Sequence, residues 1–208
     1  MDKIILIGGG GYAAEVATYI KDNEKFDFEV YDDSEEIHPS LQDLKIGNIN
    51  DFINDFDGAK KCFLAIGDTL QKKEIHNKIK HLSIEYHSFI HPTATISSTA
   101  KLGECHFLYP YTIVTNNAII GDFVTLNSYS AIGHDSKIGN YSVLSAHVDI
   151  TGDVEIGECV FFGSGSRTMP RLKIGSGTRV GAGVTIVKNS KPESLFFPAI
   201  SKNINKSK

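Results

Sequence analysis

The chain has 208 residues, a formal net charge of −4 and the mixed composition of an ordinary globular protein. Its mixed charges give no sign of a general nucleic-acid-binding surface, and no apolar run approaches the length of a membrane span. The apolar start is too short for a signal peptide and leads into glycines, so no membrane partner and a cytoplasmic location are expected.

The first predicted elements have the order of a nucleotide-binding fold. An apolar run at residues 3–7 has the length of a strand, four glycines follow it, and residues 12–20 carry apolar side chains at helical spacing. Gly8, Gly10 and Ala13 fit the G-x-G-x-x-G/A pattern. Glycine in that pattern lets backbone N–H groups and a helix N-terminus approach a phosphate closely.

A second strand is predicted at residues 28–31. It ends in Asp32 and Asp33, about 20 residues beyond the glycines, where the ribose-binding carboxylate of such folds lies. A third strand is predicted at residues 62–66, and together these elements indicate a Rossmann-like α/β half domain over residues 1–89. One mononucleotide half suits a nucleotide-linked substrate better than NAD. The alternative is a generic α/β domain with a glycine-rich turn and surface aspartates.

A six-residue repeat runs without interruption through the second half of the chain. Every sixth residue from Ile96 to Ile186 is apolar except Thr168, and a Leu/Ile-Gly pair recurs at every third repeat. This period predicts triangular coils of three short strands, whose inward Ile, Leu and Val side chains form a core shared between neighbouring coils. A left-handed parallel β-helix is therefore expected over residues 90–190, followed by a C-terminal tail at residues 191–208.

The same period bears on the cysteines, which number three and do not resemble a disulfide framework. Cys105 and Cys159 are separated by three complete coils of the predicted β-helix. Strands stack about 4.8 Å apart, so these two residues are expected on one face roughly 14 Å apart. A disulfide needs Cα atoms within about 7 Å, and the two cysteines are therefore expected to stay unpaired.

Within the repeat, chemistry is predicted at His134 and Asp135. His134 follows the inward Ile132 by two positions, so its side chain is expected at a corner, pointing outward. An imidazole next to a carboxylate can take a proton from an attacking amine or hydroxyl, but an exposed surface histidine is the alternative. No metal is expected, because His106, His134 and His147 occupy three different phases, although a site shared between subunits stays open.

Taken together, these residues resemble the nucleotide-aminosugar N-acetyltransferases and sialic acid O-acetyltransferase-like proteins of the left-handed β-helix superfamily. The resemblance covers nearly the whole chain, from the glycine turn and Tyr31-Asp32-Asp33 to Asn127 and His134-Asp135. It implies an acetyl-CoA-dependent N-acetyltransferase for the amino group of a nucleotide-linked amino-deoxysugar, used in glycan biosynthesis. It also implies a homotrimer with active sites between subunits.

The resemblance further implies roles for residues at matching positions. His134 would be the catalytic base and Asp135 the acid that orients it. The implied contacts to the nucleotide-linked sugar are made by Gly8, Gly10, Asp32, Asp33, Lys72 and Asn127, of which Lys72 stands where the family often has an arginine. Gly163 and Gly181 would be the cofactor-binding residues, where the pantetheine arm of acetyl-CoA passes close to backbone.

The chain departs from the family pattern in its CoA contacts. Val143 stands where the family often has a second histidine, and residues 197–202 replace the usual Gly-Asn-Pro-Ala-Lys ending. Two other functions stay open, an O-acetyltransferase for a free sugar such as sialic acid and a non-catalytic trimeric sugar-nucleotide-binding module. The sequence does not identify the nucleotide base (UDP, dTDP or GDP), the sugar, or the amino group that is acetylated.

Overall fold

The computed structural model describes residues 2–58 and 61–198, which form an α/β domain followed by a left-handed parallel β-helix. The elements of the first domain are β1 (Asp2–Ile7), α1 (Gly11–Asn23), β2 (Phe26–Tyr31), a 3-10 turn (Pro39–Leu41), β3 (Lys45–Gly47), α2 (Ile49–Asn54), β4 (Lys61–Leu64), α3 (Thr69–Ile79) and β5 (Glu85–Tyr86). Its strands pair in parallel in the order β3-β2-β1-β4-β5. Among the described residues, no helix is both long and apolar enough to span a bilayer.

Hydrophobic patterning explains the centre of this sheet. The apolar side chains of β1 are almost completely buried, and α1 covers the sheet with Ala13, Val16 and Ile20, which recur at helical spacing. The predicted opening of the domain is confirmed. The predictions missed α2, which begins at a capping box formed by Asn48 and Asp51.

The β-helix consists of three-sided coils of very short strands. In chain order they are β6 (Phe89–Ile90), β7 (Thr95–Ile96), β8 (Lys101–Leu102), β9 (Phe107–Leu108), β10 (Ile113–Val114), β11 (Ile119–Ile120), β12 (Thr125–Leu126), β13 (Ala131–Ile132), β14 (Lys137–Ile138), β15 (Val143–Leu144), β16 (Asp149–Ile150), β17 (Glu155–Ile156), β18 (Phe161–Phe162), β19 (Arg167–Thr168), β20 (Lys173–Ile174), β21 (Arg179–Val180), β22 (Thr185–Ile186) and β23 (Leu195–Phe196). Each strand pairs in parallel with the strand one coil away, as Ile120 does with Leu102 and Ile138.

The strands form a triangular prism with three faces. Along the chain from β6 to β22, each face takes every third strand. Face 1 contains seven strands (β6, β9, β12, β15, β18, β21 and β23), face 2 contains six (β7, β10, β13, β16, β19 and β22), and face 3 contains five (β8, β11, β14, β17 and β20). The chain visits the faces in the order 1, 2, 3, so each coil has a corner 1–2, a corner 2–3 and a corner 3–1. The predicted inward positions are all buried from Leu108 to Ile186, which confirms the repeat.

Thr168 interrupts this apolar series without leaving its hydroxyl unsatisfied. Its side chain is buried, and its Oγ1 accepts a hydrogen bond from the backbone N–H of Thr151 at 3.2 Å. The equivalent N–H in the coil below, that of Gly133, donates instead to the backbone carbonyl of Ile150. The exception to the repeat is therefore accommodated by a local change of hydrogen-bond acceptor.

Most corners turn through a residue with left-handed backbone geometry, placed three positions after an inward side chain. For a non-glycine residue that geometry costs roughly 1–2 kcal/mol, which the ladder bonds of every coil must offset. The non-glycine corner residues with positive φ between positions 105 and 171 are Cys105, Tyr111, Asn117, Phe123, Tyr129, Asp135, Tyr141, His147, Asp153, Cys159 and Arg171. Tyr111, Tyr129 and His147 stack in successive coils with ring centroids 5.0 Å apart.

The first domain packs against face 1 and corner 3–1. Phe107 is fully buried there and contacts the rings of Tyr12 and Phe63, while Nδ1 of His76 lies 2.7 Å from the hydroxyl of Tyr141. The two parts thus share one hydrophobic cluster. Corner 2–3 lies on the opposite side of the prism from this contact.

Two sequence-based expectations, on the cysteines and on the domain boundaries, can be compared with this packing. Cys105 and Cys159 lie at corner 3–1 in different coils, and both are free, as expected. Phe89, the first residue of β6, packs in the shared cluster. The domain boundaries, which give segments 1–89, 90–190 and 191–208, therefore stay a proposal. The part of the tail from residue 199 onward lies outside the described residues.

Candidate active site

His134 and Asp135 lie together at corner 2–3, in the turn that follows β13. Nδ1 of the imidazole and Oδ2 of the carboxylate are 2.8 Å apart, and both side chains are more than half exposed. The backbone places them there, because Asp135 adopts the left-handed geometry at φ 61°. Within the described residues, Nε2 of His134 has no hydrogen-bond partner, so that nitrogen is available to an incoming group.

The imidazole depends on a glycine in the next coil. A β-carbon at Gly152 would stand 2.6 Å from Cε1 of His134 and closer still to Nε2. Gly152 follows His134 by one complete coil, so the period of the repeat places the two in one column. The sequence-based predictions did not include Gly152, although this column was a signal that could have found it.

A shallow groove of about 470 Å³ begins at the His134 side chain and is lined by residues of three successive coils. It is also lined by Asp135, Asp153 and Arg171, with Nε of Arg171 3.9 Å from Oδ2 of Asp153. Asp153 and Arg171 were also missed, although both share the column of Asp135. The groove that begins at the imidazole is therefore lined by a second carboxylate, that of Asp153.

A second cavity, of about 680 Å³, lies at the carboxyl ends of β1, β2 and β4. The glycine turn and the start of α1 line it, and Gly10 is the N-cap residue of α1 with no side-chain cap. The carboxyl ends of parallel strands and an uncapped helix N-terminus are the usual place for a nucleotide phosphate. Gly10 has no atom within 4 Å of where a β-carbon would begin, so its backbone is open to a ligand.

Gly8 has a different reason to be glycine. Its φ is +119°, and a β-carbon there would stand 2.5 Å from the carbonyl oxygen of Ala65. Packing of β1 against the end of β4 therefore already requires glycine at this position. The predicted phosphate contact of Gly8 stays a prediction.

The two predicted nucleoside-binding carboxylates hold the backbone of the cavity. Asp32 accepts hydrogen bonds from the N–H groups of Gly9 at 2.5 Å and Ser34 at 2.8 Å, and Asp33 accepts from Ile49 N–H at 2.9 Å. Both aspartates also line the cavity. Since Asp32 occupies the N–H of Gly9, a phosphate at this turn must use other N–H groups.

The prediction for Lys72 needs correction. This side chain is buried, and its Nζ donates to the carbonyl oxygen of Phe123 at 3.2 Å and to Oγ1 of Thr125 at 3.3 Å. The hydroxyl of Tyr12, a cavity residue, also binds Thr125 at 2.9 Å. Lys72 thus joins the first domain to face 1 and does not line the cavity, because α3 turns that residue toward the prism.

Asn127, Gly163 and Gly181 lie in one column at corner 1–2, where each follows a strand of face 1. They are consequently at a different corner from His134 of the same chain. Close packing alone explains both glycines, since a β-carbon would stand 2.6 Å from the nitrogen of Ala182 at Gly163 and 2.9 Å from Cδ of Pro198 at Gly181. Gly165 and Gly183 lie farther along the same turns with open space in front of them.

The histidines of the repeat do not converge. His106 is buried at corner 3–1, His134 lies at corner 2–3, and His147 stacks on Tyr129 at corner 1–2. In the described ranges no three His, Cys, Asp or Glu side chains are grouped as metal ligands would be.

Comparison with known proteins relates this geometry to a family. The model of the PglD N-terminal domain matches residues 3–79. The structure of PerB from Caulobacter crescentus, in complex with CoA and GDP-perosamine, is similar with a TM-score of 0.84 at 25% identity, over 94% of this chain and 93% of that one. A mutant structure from the same organism, also similar, is of perosamine N-acetyltransferase. No curated protein matches the chain.

Two further solved structures share the fold. The acetyltransferase domain of PglB from Neisseria gonorrhoeae has a TM-score of 0.81 at 22% identity and covers 94% of this chain and 96% of its own. WeeI from Acinetobacter baumannii has a TM-score of 0.82 at 23% identity with the same coverage. Residues 3–79 are thus similar to the PglD N-terminal domain, and nearly the whole chain shares the fold of PerB, an N-terminal α/β domain followed by a left-handed parallel β-helix.

Proposed function

We propose that this acetyltransferase transfers an acetyl group from acetyl-CoA to the amino group of a nucleotide-linked amino-deoxysugar, for use in glycan biosynthesis. The observation that carries the proposal is the His134–Asp135 pair, in which Nδ1 faces the carboxylate at 2.8 Å and Nε2 is open to the groove. PerB, which is similar over nearly its whole length, was solved with CoA and GDP-perosamine. A cytoplasmic location stays a prediction.

His134 acts as the general base in this proposal. Its Nε2 takes a proton from the sugar amine as the nitrogen forms a bond to the thioester carbonyl carbon. Collapse of the tetrahedral intermediate breaks the carbon–sulfur bond, and His134 returns a proton to the departing thiolate. Asp135 holds the tautomer with hydrogen on Nδ1 and stabilises the imidazolium. Backbone N–H groups stabilise the oxyanion.

The charges of the groove favour an amine over a hydroxyl as acceptor. Asp135 and Asp153 line the groove in one column, and Arg171, 3.9 Å from Asp153, offsets only part of their charge. Two carboxylates attract an ammonium group, whereas a neutral sugar hydroxyl gains little from them. O-acetylation of a free sugar would also leave the cavity of the first domain without a ligand.

The nucleotide end of the substrate is proposed to occupy the cavity beside α1. Gly10 offers open backbone at the helix N-terminus, where the helix dipole favours a pyrophosphate. Asp32 and Asp33 line the same cavity and keep unused acceptor positions for the nucleoside.

The separation of the first domain from His134 within one chain supports an active site shared between copies of the chain. The first domain sits on face 1, and His134 lies at corner 2–3, across the prism from it. A sugar held in the cavity of one copy would meet the His134 of a neighbouring copy more readily than its own. We therefore propose a homotrimer in which Asn127 and His134 reach a common substrate from different corners.

The acetyl-CoA contacts are proposed to lie along corner 1–2. Gly163 and Gly181 stay the predicted pantetheine contacts, and the adjacent Gly165 and Gly183 leave open space that fits a narrow chain against backbone. Corner 1–2 is therefore the part of the chain proposed to hold the donor. This placement agrees with the proposal that each active site combines different corners of neighbouring copies.

The test is a thiol-release assay with acetyl-CoA and a panel of UDP-, dTDP- and GDP-linked amino sugars, with sialic acid as the hydroxyl acceptor. At least one nucleotide-linked amine should release CoA, and His134→Ala should lower kcat by about 10²–10⁴-fold. Near-normal turnover of His134→Ala at saturating substrates would show that the base is assigned wrongly. Activity on sialic acid alone would support the O-acetyl function, and no activity from a folded oligomer would support a binding module.

A further inference from the structure

We propose that Asn117 is a positioning residue for acetyl transfer, because its side-chain amide holds the carboxylate that orients His134. This inference rests on the proposed function of His134 as the base. Asn117 lies at corner 2–3, one coil before Asp135, and does not line the groove. It acts on the reaction only through its neighbour.

The carboxylate of Asp135 is held from both sides. Nδ2 of Asn117 donates to Oδ1 at 3.0 Å, and Oδ2 faces Nδ1 of His134 at 2.8 Å. With one oxygen bound by each partner, rotation about the terminal bond of Asp135 would break one contact or the other. Asn117 therefore fixes the plane of the carboxylate and, through it, the orientation of the imidazole.

Asn117 is itself fixed by the coil beneath it. Its backbone N–H donates to Oγ1 of Thr99 at 3.0 Å, and its φ of 57° is a left-handed geometry that asparagine tolerates well. The series Thr99, Asn117, Asp135 and His134 thus crosses three coils by hydrogen bonds. Side chains on stacked coils are rigid supports, so the orientation does not depend on a mobile loop.

The charge state of Asp135 agrees with this arrangement. The hydrogen bond from Asn117, followed by that from His134, lowers the pKa of the Asp135 carboxyl. An ionised carboxylate accepts from both partners at once. An aspartate at position 117 would have the same shape but would place a second negative charge against Oδ1 in place of a donor.

Asn117→Asp is therefore the matched substitution. It keeps the size and the left-handed tolerance of the residue, so the melting temperature should stay within a few degrees of the parent. The expected result is a fall in kcat of at least tenfold with KM for both substrates changed less than threefold. The same exchange at Asn140, whose side chain accepts a hydrogen bond from Asp122 N–H, should leave kcat unchanged.

A double-mutant cycle separates positioning from other causes. Asp135→Gly removes the carboxylate and suits the positive φ at that position. In that background Asn117→Asp should cause no further loss of kcat, since the group it acts through is gone. An additive loss, or unchanged kcat in the single variant, would overturn the role of Asn117. If instead His134→Ala is fully active, the proposed function itself fails, and the two failures are distinguished.

Discussion

The imidazole of His134 lies so close to the backbone of Gly152 that Gly152 has no room for a side chain. Gly152→Ala should therefore push His134 from its place beside Asp135. Misplacement of a catalytic group by about 1 Å costs on the order of 10²-fold in rate, and kcat should fall by that amount with little change in KM. Steady-state kinetics measure this. If Gly152→Ala lowers kcat further in a His134→Ala background, the effect does not pass through the imidazole.

The open N-terminus of α1 gives a matched pair of variants at Gly10. Asparagine and aspartate are both favoured N-cap residues, so neither should destabilise the helix. Only aspartate brings a negative charge to the proposed pyrophosphate position. Gly10→Asp should raise KM for the nucleotide-linked sugar at least tenfold, corresponding to about 1.4 kcal/mol, whereas Gly10→Asn should change it far less. Equal effects of the two variants would place the phosphates elsewhere.

Burial of Lys72 predicts a particular pH dependence of stability. Burial lowers the pKa of Lys72 to about 8, while Cys105, Cys159 and Asp68 act weakly in the opposite direction. The pKa of Lys72 in the unfolded chain is 10.5, so between about pH 8 and pH 10.5 the unfolded chain holds a proton on Lys72 that the folded chain has lost. The free energy of unfolding should therefore rise with pH over this range. Relative to Lys72→Met, the parent should gain on the order of 1–3 kcal/mol between pH 7 and pH 10.

Urea denaturation at the two pH values measures this difference. The same exchange at the exposed Lys80 is the control and should leave the difference between parent and variant nearly constant. A parent that loses stability relative to Lys72→Met as the pH rises would contradict the buried, weakly paired ammonium described above.

The repeat made the β-helix predictable, because one inward residue in six is a signal of core packing that no helix produces. The corners were less predictable. Tyr129 and Phe123 adopt left-handed backbone geometry that bulky residues ordinarily avoid, and only the ladder bonds of the coils above and below enforce it. The short strand β3 and helix α2 were missed because they are brief and partly exposed.

The candidate active site was predictable only in part. His134 and Asp135 stand next to each other in the chain, so their pairing could be read directly. The contributions of Asn117 and Gly152 come from one coil below and one coil above, and a column with the period of one coil would have located both. Lys72 could not be placed from sequence, since a lysine in the first turns of a polar helix is exposed more often than buried.

The shared active site has the most direct test in mixed oligomers of two impaired variants, assayed with the nucleotide-linked sugar well below the KM of the parent. His134→Ala keeps the proposed nucleotide cavity but lacks the base, and Gly10→Asp keeps the base but binds the nucleotide-linked sugar weakly. If each site takes its cavity from one copy and its base from the next, about one quarter of the sites in a randomly mixed 1:1 trimer combine intact halves. Thiol release should then recover to about a quarter of the parent rate after co-refolding. No recovery from a mixed, folded trimer would contradict a site that joins the nucleotide cavity of one copy to His134 of its neighbour.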